Sequence, residues 1–238
     1  MIQPGGDEIS ERYSALRARL DRIAEEAGRE PDAYRIVAVT KTFPVAVVQA
    51  ARRAGLTLFG ENRVQEALPK IEACPEAEWH LIGHLQSNKA RAALQAFAMI
   101  HSVDSLDLLR RLERVCHDDG RAPTLLLQVN VSGEGSKSGF DREWFDAQVR
   151  RPDGELATAI GQLRHARVDG LMTIAAADAD PRPLFSALRR LRDQLEQSLG
   201  RPLPELSMGM SGDAEAAVAE GATLVRIGTA LFGPRPPR

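Results

Sequence analysis

The feature that most constrains the fold is a repeating texture. From residue 35 onward, short and almost continuously apolar runs alternate with longer amphipathic stretches, at intervals of roughly 20 to 40 residues. Runs such as Ile36-Val37-Ala38-Val39 and Leu125-Leu126-Leu127-Gln128-Val129 leave no polar face. A strand of that kind has to be covered on both sides, as in a parallel sheet flanked by helices. Eight strands are expected, at 36–40, 56–60, 79–82, 99–103, 124–131, 168–173, 206–208 and 223–227. Between them lie helical patterns at 45–54, 64–73, 87–97, 105–116, 143–150 with 156–164, 183–198 and 213–219, so each strand has its own crossover. A further helix at 8–27 precedes the first strand, with Ile9, Tyr13, Leu16, Leu20 and Ile23 at helical spacing and Gly28 as its stop. This pattern predicts a closed (β/α)8 TIM barrel with an extra N-terminal helix packed outside it. An open doubly wound sheet would ordinarily use fewer strands, and its GxGxxG fingerprint is missing after the first one.

A length of 238 residues suits one barrel, so residues 1–238 are expected to form a single domain. Residues 1–6 and 234–238 are expected to fray; the tail, Gly233-Pro234-Arg235-Pro236-Pro237-Arg238, can continue neither a helix nor a central strand. A formal net charge of -2 offers no basic surface for nucleic acid or an anionic membrane. Cys74 and Cys116 fall in helical patterns and form no CxxC pair, which points away from a disulfide scaffold or a zinc knuckle. No leader pattern opens the chain and no stretch is long enough to span a bilayer, so a cytoplasmic location is expected.

In a barrel of this kind the residues just past the strands converge on one face. Lys41 follows the first strand. An amine kept partly out of water there would favour its neutral form, which is the form that attacks an aldehyde to make a Schiff base; a solvated lysine ahead of Pro44 is the plainer reading. At the other end of the chain, Ser207-Met208-Gly209-Met210-Ser211-Gly212 and Val225-Arg226-Ile227-Gly228-Thr229 follow the last two strands, where barrels often bind phosphate through backbone N–H groups. Ser211 stands where an N-cap of the next helix would be, and an ordinary cap and an ordinary turn at Gly228 are the alternatives. Arg226 could donate to a ring nitrogen while being too weak an acid to protonate it, or could pair with Asp169 or Glu61.

Five blocks carry a resemblance: Val39-Thr40-Lys41-Thr42-Phe43-Pro44, Phe59 to Glu66, Trp79 to Lys89, Leu206 to Gly212, and Val225 to Gly233. In this order they resemble the signature blocks of the YggS/PROSC family of pyridoxal 5′-phosphate (PLP) homeostasis proteins. The resemblance implies the alanine racemase N-terminal barrel fold and PLP held as a Schiff base on Lys41. It assigns Ser211, Gly228 and Thr229 to the phosphate, Arg226 to the pyridine side, and Asn62 and Met208 to the lining of the ring. Two blocks depart from the usual wording, Met172 to Ala176 and Val131 to Lys137; Lys137 in the second is a candidate for handing PLP to or from the site.

His80 and His84 lack the glutamate of HExxH and do not share a helical face, so His80 is expected to pack near the barrel and His84 at its mouth, with no metal; His101 and His165 read as structural. A racemase needs a second acid/base group opposite the lysine, and the two tyrosines, Tyr13 and Tyr34, both precede the first strand. A PLP carrier or regulator is therefore expected ahead of a PLP-dependent racemase, lyase or transaminase, and a phosphosugar-binding barrel is a third reading. The expected partners are PLP, other B6 vitamers and, transiently, PLP-dependent apoenzymes, with the chain itself a monomer.

Overall fold

The apolar runs become strands that pair side by side in chain order and close on themselves. The computed structural model describes residues 4–121, 123–135, 138–175 and 180–234. Its strands are β1 (Arg35–Val39), β2 (Leu58–Glu61), β3 (Glu78–Leu81), β4 (Met99–Val103), β5 (Thr124–Asn130), β6 (Phe140–Asp141), β7 (Arg167–Met172), β8 (Glu205–Ser207) and β9 (Leu224–Ile227). The helices are α1 (Gly6–Glu26), α2 (Val45–Arg53), α3 (Val64–Ala73), α4 (Ala90–Ala96), α5 (Leu106–Asp119), α6 (Arg142–Val149), α7 (Glu155–Gly161), α8 (Arg182–Leu199), α9 (Ala214–Ala219) and α10 (Thr229–Phe232). All strand pairings are parallel: β1 joins β9, with Val37 opposite Arg226, and β4 joins β5. The closed ring therefore has eight strands and no free edge, as the sequence pattern predicts. β6 lies outside it, against the upper end of β5.

Alternation along each strand sends side chains to two separate cores. Val37, Leu58, Met99, Leu126, Met172 and Leu224 form an aliphatic cluster inside the ring, on which Ile82 packs. The larger cluster, which includes Ile36, Ala38, Phe59, Leu81, Ile100, Leu125, Leu127 and Val225, lies between strands and helices. Parallel strands buried on both faces explain why the runs carry no polar alternation.

The N-terminal helix is more than an addition. After β9 the described residues hold only the single turn α10, and α1 packs against α2, α9 and α10. It thus occupies the place in the helical ring that the eighth crossover would otherwise fill. Arg12 Nη1 donates to Leu231 O (3.2 Å) in α10, and Arg29, just past α1, donates to Val218 O (2.5 Å) in α9 and to Ala222 O (2.8 Å) ahead of β9, fastening the helix to both neighbours. The helix begins at Gly6, with Gly5 as its N-cap; residues 1–3 and 235–238 lie outside the described residues, as does Lys137.

Other departures are local. The pattern at 87–97 splits into a 3-10 turn, Ser87–Lys89, followed by α4, and α10 has too few residues to show a periodicity. Among the described residues no helix is long and apolar enough to cross a membrane. Because α1 completes the ring, emptying its inner face should unfold the whole barrel. Leu20, fully buried on α1, is expected to cost about 2–5 kcal/mol as Leu20→Ala, read as a drop in the urea midpoint without a change in slope.

Candidate functional site

Seven of the residues lining a cavity of about 260 Å³ at the C-terminal mouth of the ring come from four strand ends: Val39 and Lys41 at the end of β1, Asn62 after β2, Ile82 after β3, and Arg226, Gly228 and Thr229 at the end of β9. Ile174, Met210, Ser211 and Gly212 complete it from the loops after β7 and β8. Six of the seven sequence-based site residues are thus brought together. The seventh, Met208, is fully buried in the outer core instead. Its place at the mouth is taken by Met210, which is 40% exposed, with Ile174 at 37% facing the same opening.

Lys41 owes its setting to its neighbours. Thr42 has φ 69°, a left-handed conformation rare for a β-branched residue, and so turns the chain sharply beyond the lysine. Both flanking residues are tied to one buried ionic cluster. Lys70 Nζ donates to Thr40 O (2.8 Å) and to Glu61 Oε1 (2.7 Å); Thr40 Oγ1 donates to the same Glu61 oxygen (2.6 Å). Glu66 accepts from the Thr42 backbone N–H and lies 3.5 Å from Lys70. Glu61 and Lys70 are essentially inaccessible to solvent. Burial pushes the Glu61 carboxyl up, and the attraction and hydrogen bond of Lys70 pull it back. The cluster pins the backbone on either side of Lys41, an anchoring that the sequence reading did not anticipate.

Arg226 lies deepest. Its side chain is buried at the end of β9, and Nη1 donates to Ser207 Oγ (2.7 Å) while Nη2 donates to Thr173 O (2.8 Å). The two carboxylates considered as its partners are engaged elsewhere, Asp169 with Arg167 (2.5 Å) and Glu61 with Lys70. Burial brings the guanidinium down to about 10, against the attraction of Asp213, so it remains a cation and a donor at neutral pH.

The loops opposite Lys41 are shaped by glycine. Gly209 has φ +90°, and a Cβ there would meet the Ala217 Cβ at 2.4 Å; the reversal lets Met210 and Ser211 face the mouth. Ser211 does not cap α9, whose N-cap is Asp213. Its Oγ accepts instead from Ala230 N (3.2 Å) in α10, joining the loop after β8 to the turn after β9. Across the mouth, a Cβ on Gly83 would lie 2.4 Å from Asn62 O, so only glycine allows the backbone after β3 to support Asn62 this closely.

The other singled-out groups fall elsewhere. His84 Nδ1 lies 3.0 Å from Asp104 Oδ2 at the mouth, whereas His80 lies inside the ring. His165 bonds to Glu113 on the outer surface. The Tyr34 hydroxyl is 2.7 Å from Asp21, ahead of β1, and Tyr13 sits on α1.

With this geometry in view, a family model described as the alanine racemase N-terminal domain matches residues 12–236. The pyridoxal phosphate homeostasis protein of Pseudomonas aeruginosa is 46% identical over 231 residues, covering 95% of this chain and 96% of the relative. The chain belongs to the pyridoxal phosphate homeostasis protein family. The Escherichia coli K12 member of this family is 36% identical over 236 residues, covering 96% of this chain and 97% of that protein. PipY of Synechococcus elongatus, solved with PLP bound, superposes with a TM-score of 0.81 at 40% identity, covering 94% of this chain and 100% of PipY. An alanine racemase from Bartonella henselae shares the fold at 17% identity with a TM-score of 0.71, over 98% of this chain but 60% of its own.

Removing one partner of the ion pair beneath Lys41 leaves a buried charge. Lys70→Met is expected to cost about 3–5 kcal/mol, and Glu61→Gln with Lys70→Met to recover most of that; equilibrium urea unfolding of the three proteins measures both.

Proposed function

We propose that this family member binds PLP, holding it as a Schiff base on Lys41, and serves as a carrier and regulator of the cofactor. The observation that carries the reading is the pairing, in one cavity of about 260 Å³, of the Lys41 amine with the buried Arg226 cation, in a chain 40% identical to a protein solved with PLP bound. A space of this size lies just below the usual range of ligand pockets, of order 300–1,000 Å³, and suits one substituted ring. The exposed apolar side chains of Ile174 and Met210 on its rim are a natural cover for the faces of such a ring.

Each residue then has a role that follows from its chemistry. Lys41 would supply the nitrogen that replaces the aldehyde oxygen, which would leave as water. Arg226 uses two of its five N–H groups on Ser207 and Thr173, and the others can donate to the ring nitrogen without giving up a proton. Ser211, Gly228 and Thr229 receive the phosphate, where the two loops are joined by the Ser211–Ala230 bond. Asn62 borders the ring from the opposite side. Bound PLP supplies an electrophilic carbon and, when its ring is protonated, an electron sink. An arginine at the ring nitrogen withholds that proton, and neither tyrosine stands at the cavity, so retention and release fit these residues better than racemisation.

In this reading residues 1–238 act as one domain, as a cytoplasmic monomer that takes PLP and other B6 vitamers and meets PLP-dependent apoenzymes transiently. Lys137 is retained as a candidate for transfer, and Lys137→Ala should alter loading or release rates if it has that part. Adding PLP to the wild-type protein should produce a visible imine band and raise the melting temperature, with about 2.7 kcal/mol of stabilisation at a hundredfold excess over Kd. Lys41→Ala should fold as the wild type does and lose the band. A retained band would remove Lys41 from the mechanism, and fast turnover of amino acids by the loaded wild type would favour an enzyme over a carrier.

A further inference from the structure

Two buried imidazoles stand outside the cavity lining. His80 on β3 and His101 on β4 are fully buried inside the ring, with ring centroids 4.9 Å apart. Their hydrogen bonds run in single file from the cavity to the opposite pole. Arg226 Nη1 lies 2.7 Å from Ser207 Oγ, Ser207 Oγ 2.8 Å from His101 Nδ1, His101 Nε2 2.9 Å from His80 Nδ1, and His80 Nε2 2.7 Å from Glu78 Oε1. Glu78 is the first residue of β3, at the N-terminal end of the barrel, and its side chain is 44% exposed.

The two ends determine the direction. A carboxylate only accepts and a guanidinium only donates. With neutral rings, His80 gives its Nε2–H to Glu78 and is left with a bare Nδ1; this takes the Nε2–H of His101, whose bare Nδ1 takes the hydroxyl proton of Ser207; Ser207 in turn accepts from Arg226. One pair of tautomers, Nε2–H on both rings, satisfies every bond. All donors then point from the buried cation toward the surface carboxylate, and aligned bonds in a dry interior strengthen one another. Thr173 O, which holds the second guanidinium nitrogen, is fixed by the Thr173 Oγ1 bond to Val129 O (2.7 Å).

We propose that Ser207, His101 and His80 are positioning residues for the cofactor: through a one-way file of hydrogen bonds anchored on Glu78, they lock Arg226 in the orientation from which it meets the ring nitrogen of PLP. The proposal rests on the PLP reading, but the file itself can be tested without the ligand.

The charged groups facing the file make it sensitive to acid. Glu78 and Glu205 favour protonation of His80 while Arg35 opposes it, and His101 faces His80, Arg35 and Arg226. Burial dominates and holds both imidazoles below their ordinary value of 6.5. The folded state therefore binds fewer protons than the unfolded chain. The stability contributed by the neutral file is fully present above pH 6.5 and is lost as pH falls below it. A proton on His101 Nδ1 also removes the acceptor for Ser207, so the Arg226 end loosens at the same time.

Two measurements decide the matter. Nitrogen-15 NMR of the ligand-free protein at neutral pH should find both rings neutral with hydrogen on Nε2; an Nδ1–H tautomer or an imidazolium at either position overturns the file, whatever the cofactor does. In the PLP-loaded protein, His101→Phe and Ser207→Ala should release PLP about tenfold faster, the effect of losing one hydrogen bond to a charged group, and should shift the pH profile of the imine band. His101→Gln, which keeps one acceptor and one donor, should stay close to wild type. Should His101→Phe not fold, Ser207→Ala decides alone: wild-type release and an unchanged pH profile in that folded variant contradict the proposal. A wild type that forms no imine refutes the PLP reading and the cofactor role of the file together, while the NMR result still stands or falls by itself.

Discussion

The site depends on β4 reaching β5. Seven parallel pairings would make an open sheet with two unsatisfied edges; the eighth closes the ring, brings the C-terminal ends of all its strands to one face and leaves an interior that water does not enter. The β1–β9 pairing then brings Lys41 and Arg226 to one cavity, although they stand far apart in the chain. Closure also requires a complete helical ring outside. That is why a helix from the N-terminus sits where the short α10 leaves room.

The same dry interior dictates how charge is handled. On the outer side of β2, Lys70 and Glu61 answer burial with a direct ion pair whose remaining contacts grip Thr40. On the inner side, Arg226 has a hydroxyl, a backbone carbonyl and, beyond the hydroxyl, two neutral rings leading to Glu78. The first arrangement holds an amine-bearing backbone still. The second keeps a donor pointed at the cavity, with Asp213 as the carboxylate that attracts its charge. Both let the site remain polar where an aliphatic core would pack more simply.

Much of this was legible in the sequence, for physical reasons that also mark the limits. Parallel strands covered on both faces have to be apolar throughout, so the eight runs and the residues just past them stood out, Lys41 and Arg226 among them. In-and-out placement within those ends was harder. Ser207 points into the ring toward Arg226, so Met208 has to point outward, and the left-handed Gly209 then returns Met210 to the mouth. The period of two held that signal, but the end of β8 had first to be placed at Ser207. Ser211 reads as a cap because serine before a helix ordinarily is one; its true partner, Ala230 N, belongs to a turn too short to announce itself. His80 and His101 are isolated letters in sequence and become a pair only when β3 and β4 lie side by side.

The central claim is that one amine, that of Lys41, holds PLP opposite Arg226. Borohydride reduction of the PLP-loaded protein, followed by peptide mass mapping, tests it most directly, since reduction makes the bond permanent before the fold is lost. The account predicts a pyridoxyl-phosphate adduct confined to the peptide that carries Lys41. An adduct on another lysine, or none at all under saturating PLP, would contradict it.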